Sequence, residues 1–97
     1  MDDIKFDWDK NKAFLNKRKH GVSFEEALTI FYDDDALEAY DPDHSQEEDR
    51  FLMLGLSFHG RVLIVAHCVR ESASFIRIIS ARKATKQEAE KYWEGKT

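Results

Sequence analysis

The chain has 97 residues, of which 42% are hydrophobic and 35% are charged, a composition typical of one globular domain spanning residues 1–97. It contains no apolar run near the ~20 residues of a membrane span, so we expect no membrane association. The N-terminus lacks the apolar core of a signal peptide, and Cys68 is the single cysteine. We therefore expect no internal disulfide and a reducing, cytoplasmic setting.

The net charge of −4 is unevenly distributed. The formal charge, Lys and Arg minus Asp and Glu, is +2 for residues 1–19. It is −11 for residues 20–49, which contain no Lys or Arg. It is +6 for residues 50–86 and −1 for residues 87–97. Because the charges are segregated, an acidic protein of this kind can still present a basic face to a polyanion.

The N-terminal part of the chain is predicted to form a strand and a helix. Residues 4–8 alternate apolar and polar side chains, as a short strand does. Asp9 can cap a helix that runs to about Lys19, and Gly21 suits its left-handed end. This helix is mostly polar, with one apolar patch made of Ala13, Phe14 and Leu15.

A second helix is predicted over residues 23–31. It begins with a capping box of Ser23 and Glu26. Its apolar residues recur at helical spacing and predict one buried stripe: Phe24, Ala27, Leu28 and Phe31. The acidic segment that follows has a short possible strand at 36–40 and then a polar loop that begins at Asp41-Pro42.

Three strands are predicted next, over residues 50–57, 61–69 and 74–81. Their short connections favour an antiparallel meander. A second capping box, Thr85 and Glu88, opens a C-terminal helix that ends near Trp93. The predicted fold class is α+β: an antiparallel sheet, made of the meander and one or two N-terminal strands, packed with two N-terminal helices and one C-terminal helix.

Arginines on the last predicted strand are the first candidate for chemistry. Because successive side chains of a strand point to opposite faces, Arg77 is expected on one face of this strand. Arg82 is expected on the other face, which it shares with Ile76, Ile78 and Ser80. An arginine on an inner strand needs a carboxylate or a bound phosphate beside it, and both alternatives remain open for Arg77. Arg82 and Lys83 lie where a helix begins, so they form an anion site or are two solvated cations.

The histidines are the second candidate. His67 and Cys68 are adjacent on a strand and point to opposite faces, and no metal-ligand spacing occurs in the chain, so we expect no metal site and no cofactor. His67 suits a satisfied, half-buried position better than a catalytic one. His20 lies beside Arg18 and Lys19, which favour its neutral form; a general base and a plain helix cap are equally compatible with this position.

Several blocks of the sequence together resemble the BrnT family, small bacterial ribonuclease toxins of type II toxin–antitoxin pairs. They are "FDWDKNKAFLNKRKHGVSFEEALTIFYD", "DPDHSQEEDRFLMLGLS", "GRVLIVAHCV" and "IRIISARKATKQEAEKY". The resemblance implies a RelE-like fold and an RNA substrate. It also implies a BrnA-like antitoxin with a ribbon-helix-helix region, which neutralises the toxin and brings the complex to its operator DNA.

The resemblance also selects site residues, at positions that match the family pattern: His20, Arg50, Arg61, Arg77 and Arg82. Metal-independent RNA cleavage needs cations at the phosphate and a proton-transfer group. We expect Arg82, Arg77 and either Arg61 or Arg50 to hold the phosphate, and His20 or His67 to transfer the proton.

Further RNA contacts are expected from Lys83, Lys19 and Arg18. Tyr92 is better explained as a core aromatic than as a stacking or acid group. The rival hypothesis is a binding module without catalysis, whose basic face docks an antitoxin or nucleic acid.

Overall fold

The computed structural model describes residues 4–70 and 74–95. The strands and helices are, in chain order, β1 (Lys5–Asp7), α1 (Lys10–His20), α2 (Phe24–Leu28), β2 (Leu37–Tyr40), β3 (Arg50–Leu56), β4 (Val62–Arg70), β5 (Phe75–Lys83) and α3 (Lys86–Glu94). Short 3₁₀ turns follow α2, at Thr29–Tyr32, and β2, at Pro42–His44. The prediction of an α+β fold with an N-terminal strand, two N-terminal helices and a C-terminal helix is confirmed.

The helices end where local sequence signals place them. The Asp9 carboxylate accepts from two backbone N–H groups at the start of α1, and Gly21 ends that helix with a φ of 70°. Thr85 and Glu88 form the full capping box of α3. Only half of the expected box at α2 is present: Ser23 caps the helix, whereas the Glu26 carboxylate binds side chains elsewhere in the fold.

The five strands form one sheet in the order β1-β5-β4-β3-β2. The meander of β3, β4 and β5 is antiparallel as predicted, and β2 extends it. The expectation of a fully antiparallel sheet is wrong at β1, which pairs parallel with β5 and places Asp7 opposite Arg77. A long connection joins the two strands through the rest of the chain, and such a connection permits parallel pairing.

A β-bulge in β5 corrects the predicted faces of that strand. Ala66 pairs with Ser80 while the next residue, His67, pairs with Ile78, so Ile79 is an extra residue without a partner opposite. An extra residue reverses the alternation beyond it. Arg82 and Ser80 therefore lie on the same face as Arg77, and not with Ile76 and Ile78 as alternation alone predicted.

The two faces of the sheet have different roles. The helix face packs against α1, α2 and the first 3₁₀ turn. It holds the core, whose fully or nearly fully buried members are Val22, Phe24, Ala27, Ile30, Leu63, Val65, Ile76, Ile78 and Ala81. We call the opposite face of the sheet the open face. It carries Arg77 and Arg82, and α3 borders it, since Glu88 of α3 binds Arg82. None of the helices in the described part of the chain is long and apolar enough to cross a membrane.

The apolar patch predicted on α1 is mostly outside the core. Ala13 packs against the core cluster, but Phe14 is 61% exposed and Leu15 is 60% exposed. Apolar burial alone therefore does not hold this helix on the sheet. The buried side chain of Asn16, which forms hydrogen bonds with Ala81 of β5, contributes to its attachment.

Candidate functional site

Three arginines lie on the open face of the sheet: Arg50, Arg77 and Arg82. Residues directly opposite one another on neighbouring strands share a face, and the register places Arg50 opposite Cys68, Cys68 opposite Arg77 and Arg77 opposite Asp7. We call these four residues the arginine row. It crosses β3, β4, β5 and β1 and brings together two cations that are 27 residues apart in the chain.

The contacts within the arginine row leave some polar atoms without partners. Arg77 donates to Asp7 at 2.9 Å. The second Asp7 oxygen, Oδ1, and Nε of Arg50 are buried and lack a hydrogen-bond partner among the described residues. Between the two arginines, Cys68 is 1% exposed, and burial raises the pKa of its thiol. Unpaired buried polar atoms are uncommon in folded proteins, and a catalytic or binding role is one reason for them.

Arg82 lies on the same face, opposite Ile64. Its Nη1 and Nη2 donate to the two carboxylate oxygens of Glu88 at 2.8 and 3.0 Å, and Nη1 also donates to the carbonyl of Lys83. A guanidinium has five N–H groups, so Nε–H and one Nη2–H are not used by these bonds. That pair forms one edge of the guanidinium and matches two oxygens of a phosphate.

A shallow depression of about 270 Å³ beside Arg82 includes the end of α1. It is lined by His20, Ser80 and Arg82 together with apolar side chains of β3 and β4. Enclosed small-molecule sites usually have volumes of about 300–1,000 Å³. A smaller, open depression suits part of an extended polymer better than a whole buried ligand.

Asn16 fixes the position of His20 beside this depression. Its side-chain amide donates to the carbonyls of Val22 and Ala81 at 3.0 and 2.8 Å, and its oxygen accepts from the N–H of Ala81 at 3.1 Å. Asn16 is only 8% exposed, and it precedes His20 by four residues, about one helical turn. These bonds hold α1 against β5 one residue before Arg82.

The Arg82–Glu88 pair should give the protein a pH-dependent stability. The pKa of Glu88 is lowered from 4.5 to about 2. The main cause is the hydrogen bond from the Arg82 guanidinium, and hydrogen bonds with Thr85 contribute less. Because the folded-state pKa is depressed, this stabilisation is complete above about pH 4.5 and is lost as the pH falls towards 2. In urea titrations at pH 7, 4.5 and 3, we expect Glu88→Gln to lower the unfolding free energy at pH 7 by about 1 kcal/mol.

The deficit of Glu88→Gln should shrink at pH 3, because Glu88 of the unfolded wild type is then protonated whereas Glu88 of the folded wild type is still mostly ionised, and this proton uptake favours unfolding. Glu90→Gln, an exposed carboxylate in the same helix, serves as the control. A Glu88→Gln deficit that stays constant from pH 7 to pH 3 would show that the ionised pair does not contribute to stability.

Arg61 and His67 are not brought to the open face. Arg61 follows β3 in the hairpin turn and binds Glu26 through Nε, at 3.0 Å, and through Nη2. His67 is fully buried on the helix face, between Phe31 and Phe51, with Nε2 3.2 Å from Glu38. Both side chains therefore have structural partners away from the arginine row.

Tyr92 is fully buried in the structure. Its hydroxyl donates to Asp33 at 2.6 Å, and burial raises its pKa. The interpretation of this residue as a core aromatic agrees with its position.

The predicted flanking cations are divided between two places. Lys19 lines a groove with His20 and Ser80, next to the depression, and Lys83 is exposed at the end of β5, beside Arg82. Arg18 instead lies 5.8 Å over the ring of Phe14. It lines a separate cavity of about 400 Å³ between α1 and α2, which contains none of the arginines of the sheet.

Sequence reasoning did not identify three residues that position the site. They are Asp7, Asn16 and Glu88. Glu88 was expected only to cap α3, whereas its carboxylate also holds the Arg82 guanidinium in place. The sequence signal for Asn16 is a polar residue one helical turn before His20 in a helix that must face a sheet. Asp7 has no local signal, because its partner is 70 residues away.

The fold and the site define a small α+β protein that carries three arginines on the open face of its sheet. The comparisons give a particular assignment. The chain belongs to the BrnT family, ribonuclease toxins of type II toxin–antitoxin systems, because the family's sequence profile matches residues 8–88.

A solved structure supports the fold. The chain is similar to the crystal structure of the Brucella abortus ribonuclease toxin BrnT, with a TM-score of 0.57 and 23% sequence identity over 86% of this chain and 99% of that chain. At this identity the likeness concerns the fold. No curated protein sequence matched the chain.

Proposed function

We propose that the chain is a metal-independent endoribonuclease that acts in the cytoplasm, where its cleavage of RNA lowers translation and growth. A BrnA-like antitoxin with a ribbon-helix-helix region would neutralise it, and the complex of the two would bind operator DNA. The observation that carries the catalytic part of the proposal is the placement of Arg50, Arg77 and Arg82 on one open sheet face, with His20 beside Arg82 in the depression at its edge.

The proposed reaction uses the RNA's own 2′-hydroxyl. A base removes its proton, the oxygen attacks the adjacent phosphorus, and the bond to the 5′-oxygen breaks as that oxygen gains a proton. The products are a 2′,3′-cyclic phosphate and a 5′-hydroxyl. Negative charge builds on the non-bridging oxygens, where guanidinium groups stabilise it more than they stabilise the starting ester.

We assign the roles from the positions of the side chains. Arg77 and Arg82 hold the reacting phosphate with Arg50 at the far end of the arginine row, and His20 transfers the proton from the edge of the depression. Lys19 and Lys83 contact flanking phosphates. We assign Arg61 and His67 no contact with RNA, because their partners are Glu26 and Glu38.

The carboxylates beside the arginines are compatible with this proposal. Asp7 and Glu88 each bind one side of a guanidinium and leave other N–H groups available. An ion pair of this kind also restricts the rotamers of a long side chain before the ligand arrives, so less entropy is lost on binding.

The test is incubation of the purified chain with end-labelled single-stranded RNA in excess EDTA. We expect discrete products from the wild type, and at least about 10²-fold slower cleavage by His20→Gln. The same oligonucleotide with a 2′-deoxy sugar at the mapped cleavage position is the matched control. It should remain intact at that position, because it lacks the nucleophile.

Two outcomes would contradict the proposal. Cleavage that stops in EDTA and returns with a divalent cation would exclude a metal-independent reaction. Intact RNA together with a stoichiometric, salt-sensitive complex would support the binding module instead. An assay with ribosomes and messenger RNA, run in parallel, separates lack of catalysis from a requirement for the ribosome.

A further inference from the structure

Strand β2 forms an open edge of the sheet. Asp41, just beyond the strand, donates its N–H to the carbonyl of Arg50 on β3 at 2.8 Å. Backbone groups alternate in direction along an antiparallel strand, so those of Leu37 and Ala39 face β3 and those of Glu38 and Tyr40 face outward. No strand among residues 4–70 and 74–95 pairs with this outer side. All four residues of β2 are exposed.

An apolar cleft lies along this edge on the open face of the sheet. Leu37 and Ala39 border it, with Leu52, Leu54 and Ile64 behind them, and its volume is about 280 Å³. Glu88 and Lys91 of α3 form its far side. Leu37 is 45% exposed, so the cleft opens towards the edge of β2.

Charge selects what could occupy the edge. Residues 33–49 contain nine Asp and Glu and no Lys or Arg. This charge disfavours nucleic acid, and it disfavours pairing of β2 with β2 of a second copy, because like charges would be opposed. It favours an extended segment that carries cations.

We propose that the edge of β2 binds an extended segment of a partner protein as an added strand, in which apolar and basic side chains alternate. Because successive side chains of a strand point to opposite faces, one set would enter the apolar cleft beside Leu37 and Ala39. The other set would meet Glu38 and the acidic loop on the helix face. Hydrogen bonds to the outward N–H and C=O groups supply affinity in this mode of recognition.

The bound segment would also restrict the candidate site. The cleft shares Leu52 and Ile64 with the depression that holds His20 and Arg82. A partner that fills the cleft thereby covers one side of the depression. Binding at the edge does not depend on RNA cleavage, so the two proposals are tested separately.

The probe is a synthetic peptide of about eight alternating leucine and lysine residues. We expect it to bind the full chain in fluorescence anisotropy titrations and to slow hydrogen exchange of the Glu38 and Tyr40 amides. The same peptide with N-methyl groups on every second residue keeps its charge and apolar side chains. It should bind at least about tenfold more weakly, because the methylated nitrogens cannot donate backbone hydrogen bonds to β2.

Two variants at one position supply a matched pair. Tyr40→Pro removes an outward N–H, at a place where an edge strand tolerates proline, and should weaken peptide binding by about three- to tenfold. Tyr40→Val loses the same ring and the same hydroxyl contact with Asp49 but keeps the N–H, so it should bind within about twofold of the wild type.

The proposal is overturned if the N-methylated peptide binds as well as the parent peptide. It is equally overturned if the protected amides lie outside β2, for example on α1. Should Tyr40→Pro fail to fold, as judged by circular dichroism, the comparison of the two peptides on the wild-type chain decides the question without it.

Discussion

Replacing Arg82 or Arg77 by alanine is expected to lower the rate of RNA cleavage by about 10²- to 10³-fold, with most of the loss in kcat. Both guanidinium groups lie on the open face, where each is anchored by one carboxylate. In the proposed reaction they stabilise charge that appears only in the transition state, so their removal affects the chemical step more than it affects RNA binding.

Lys10→Ala is the matched control for lost positive charge. Lys10 is exposed at the first residue of α1, at the opposite end of the helix from His20. It should reduce cleavage by less than about twofold, apart from a small change in salt dependence. Circular dichroism and urea titration of each variant verify that the measured rates belong to folded protein. Rates of both Arg→Ala variants within twofold of the wild type would show that the arginines lie outside the catalytic site.

Local signals in the sequence were sufficient for most elements of the fold. Asp9, Gly21 and the Thr85–Glu88 box each act on the backbone within a few residues, so helix ends were predictable from neighbouring residues. The short connection after β3 similarly predicted the antiparallel meander. These features depend on steric and hydrogen-bonding preferences that are independent of the rest of the chain.

The arrangement of the site depends on contacts that are distant in sequence. One inserted residue, Ile79, changes the face of Arg82, and simple alternation contains no signal for a bulge. The pairing of Asp7 with Arg77 required knowledge that β1 lies parallel beside β5. The sequence therefore identified Arg77 and Arg82 as candidates but placed them on opposite faces, whereas the fold places them on one.

The position of the acidic segment also explains how a chain with a net charge of −4 can carry arginines on one face. Asp7 and Glu88 are bound to the arginines that they accompany, and the acidic segment borders β2 at the other side of the sheet. The resulting surface has two regions of different charge. One suits phosphates, and the other suits a cationic segment of a protein.

Arg61 is expected to stabilise the fold without contributing to cleavage, and Arg61→Met tests this. Its guanidinium binds Glu26, whose side chain is 4% exposed, and Ser57 donates to the same carboxylate at 2.6 Å. Removing the arginine leaves a buried charge unpaired, which should lower the unfolding free energy by about 3 kcal/mol. The Arg61 side chain is 34% exposed, so the expected loss lies at the lower end of the ~3–5 kcal/mol that breaking a buried ion pair costs.

The pH dependence identifies the cause of this loss. The Arg61 guanidinium lowers the pKa of Glu26, so the wild type keeps this stabilisation above the usual carboxyl range and loses it as the pH falls through the depressed value. In Arg61→Met, burial should raise the pKa of Glu26 instead, because no cation remains beside the carboxylate and the Ser57 hydrogen bond offsets burial only in part. The difference between variant and wild type should therefore be largest near pH 7 and should shrink below about pH 4.

The double variant Arg61→Met/Glu26→Gln is the control, since it removes both charges. It should be more stable at pH 7 than Arg61→Met alone, because no buried carboxylate remains unpaired. Urea titrations measure all three stabilities, and cleavage per folded molecule should stay within about threefold of the wild type in both variants. If Arg61→Met remained fully folded yet lost cleavage by 10²-fold or more, Arg61 would belong with Arg77 and Arg82 in contact with RNA.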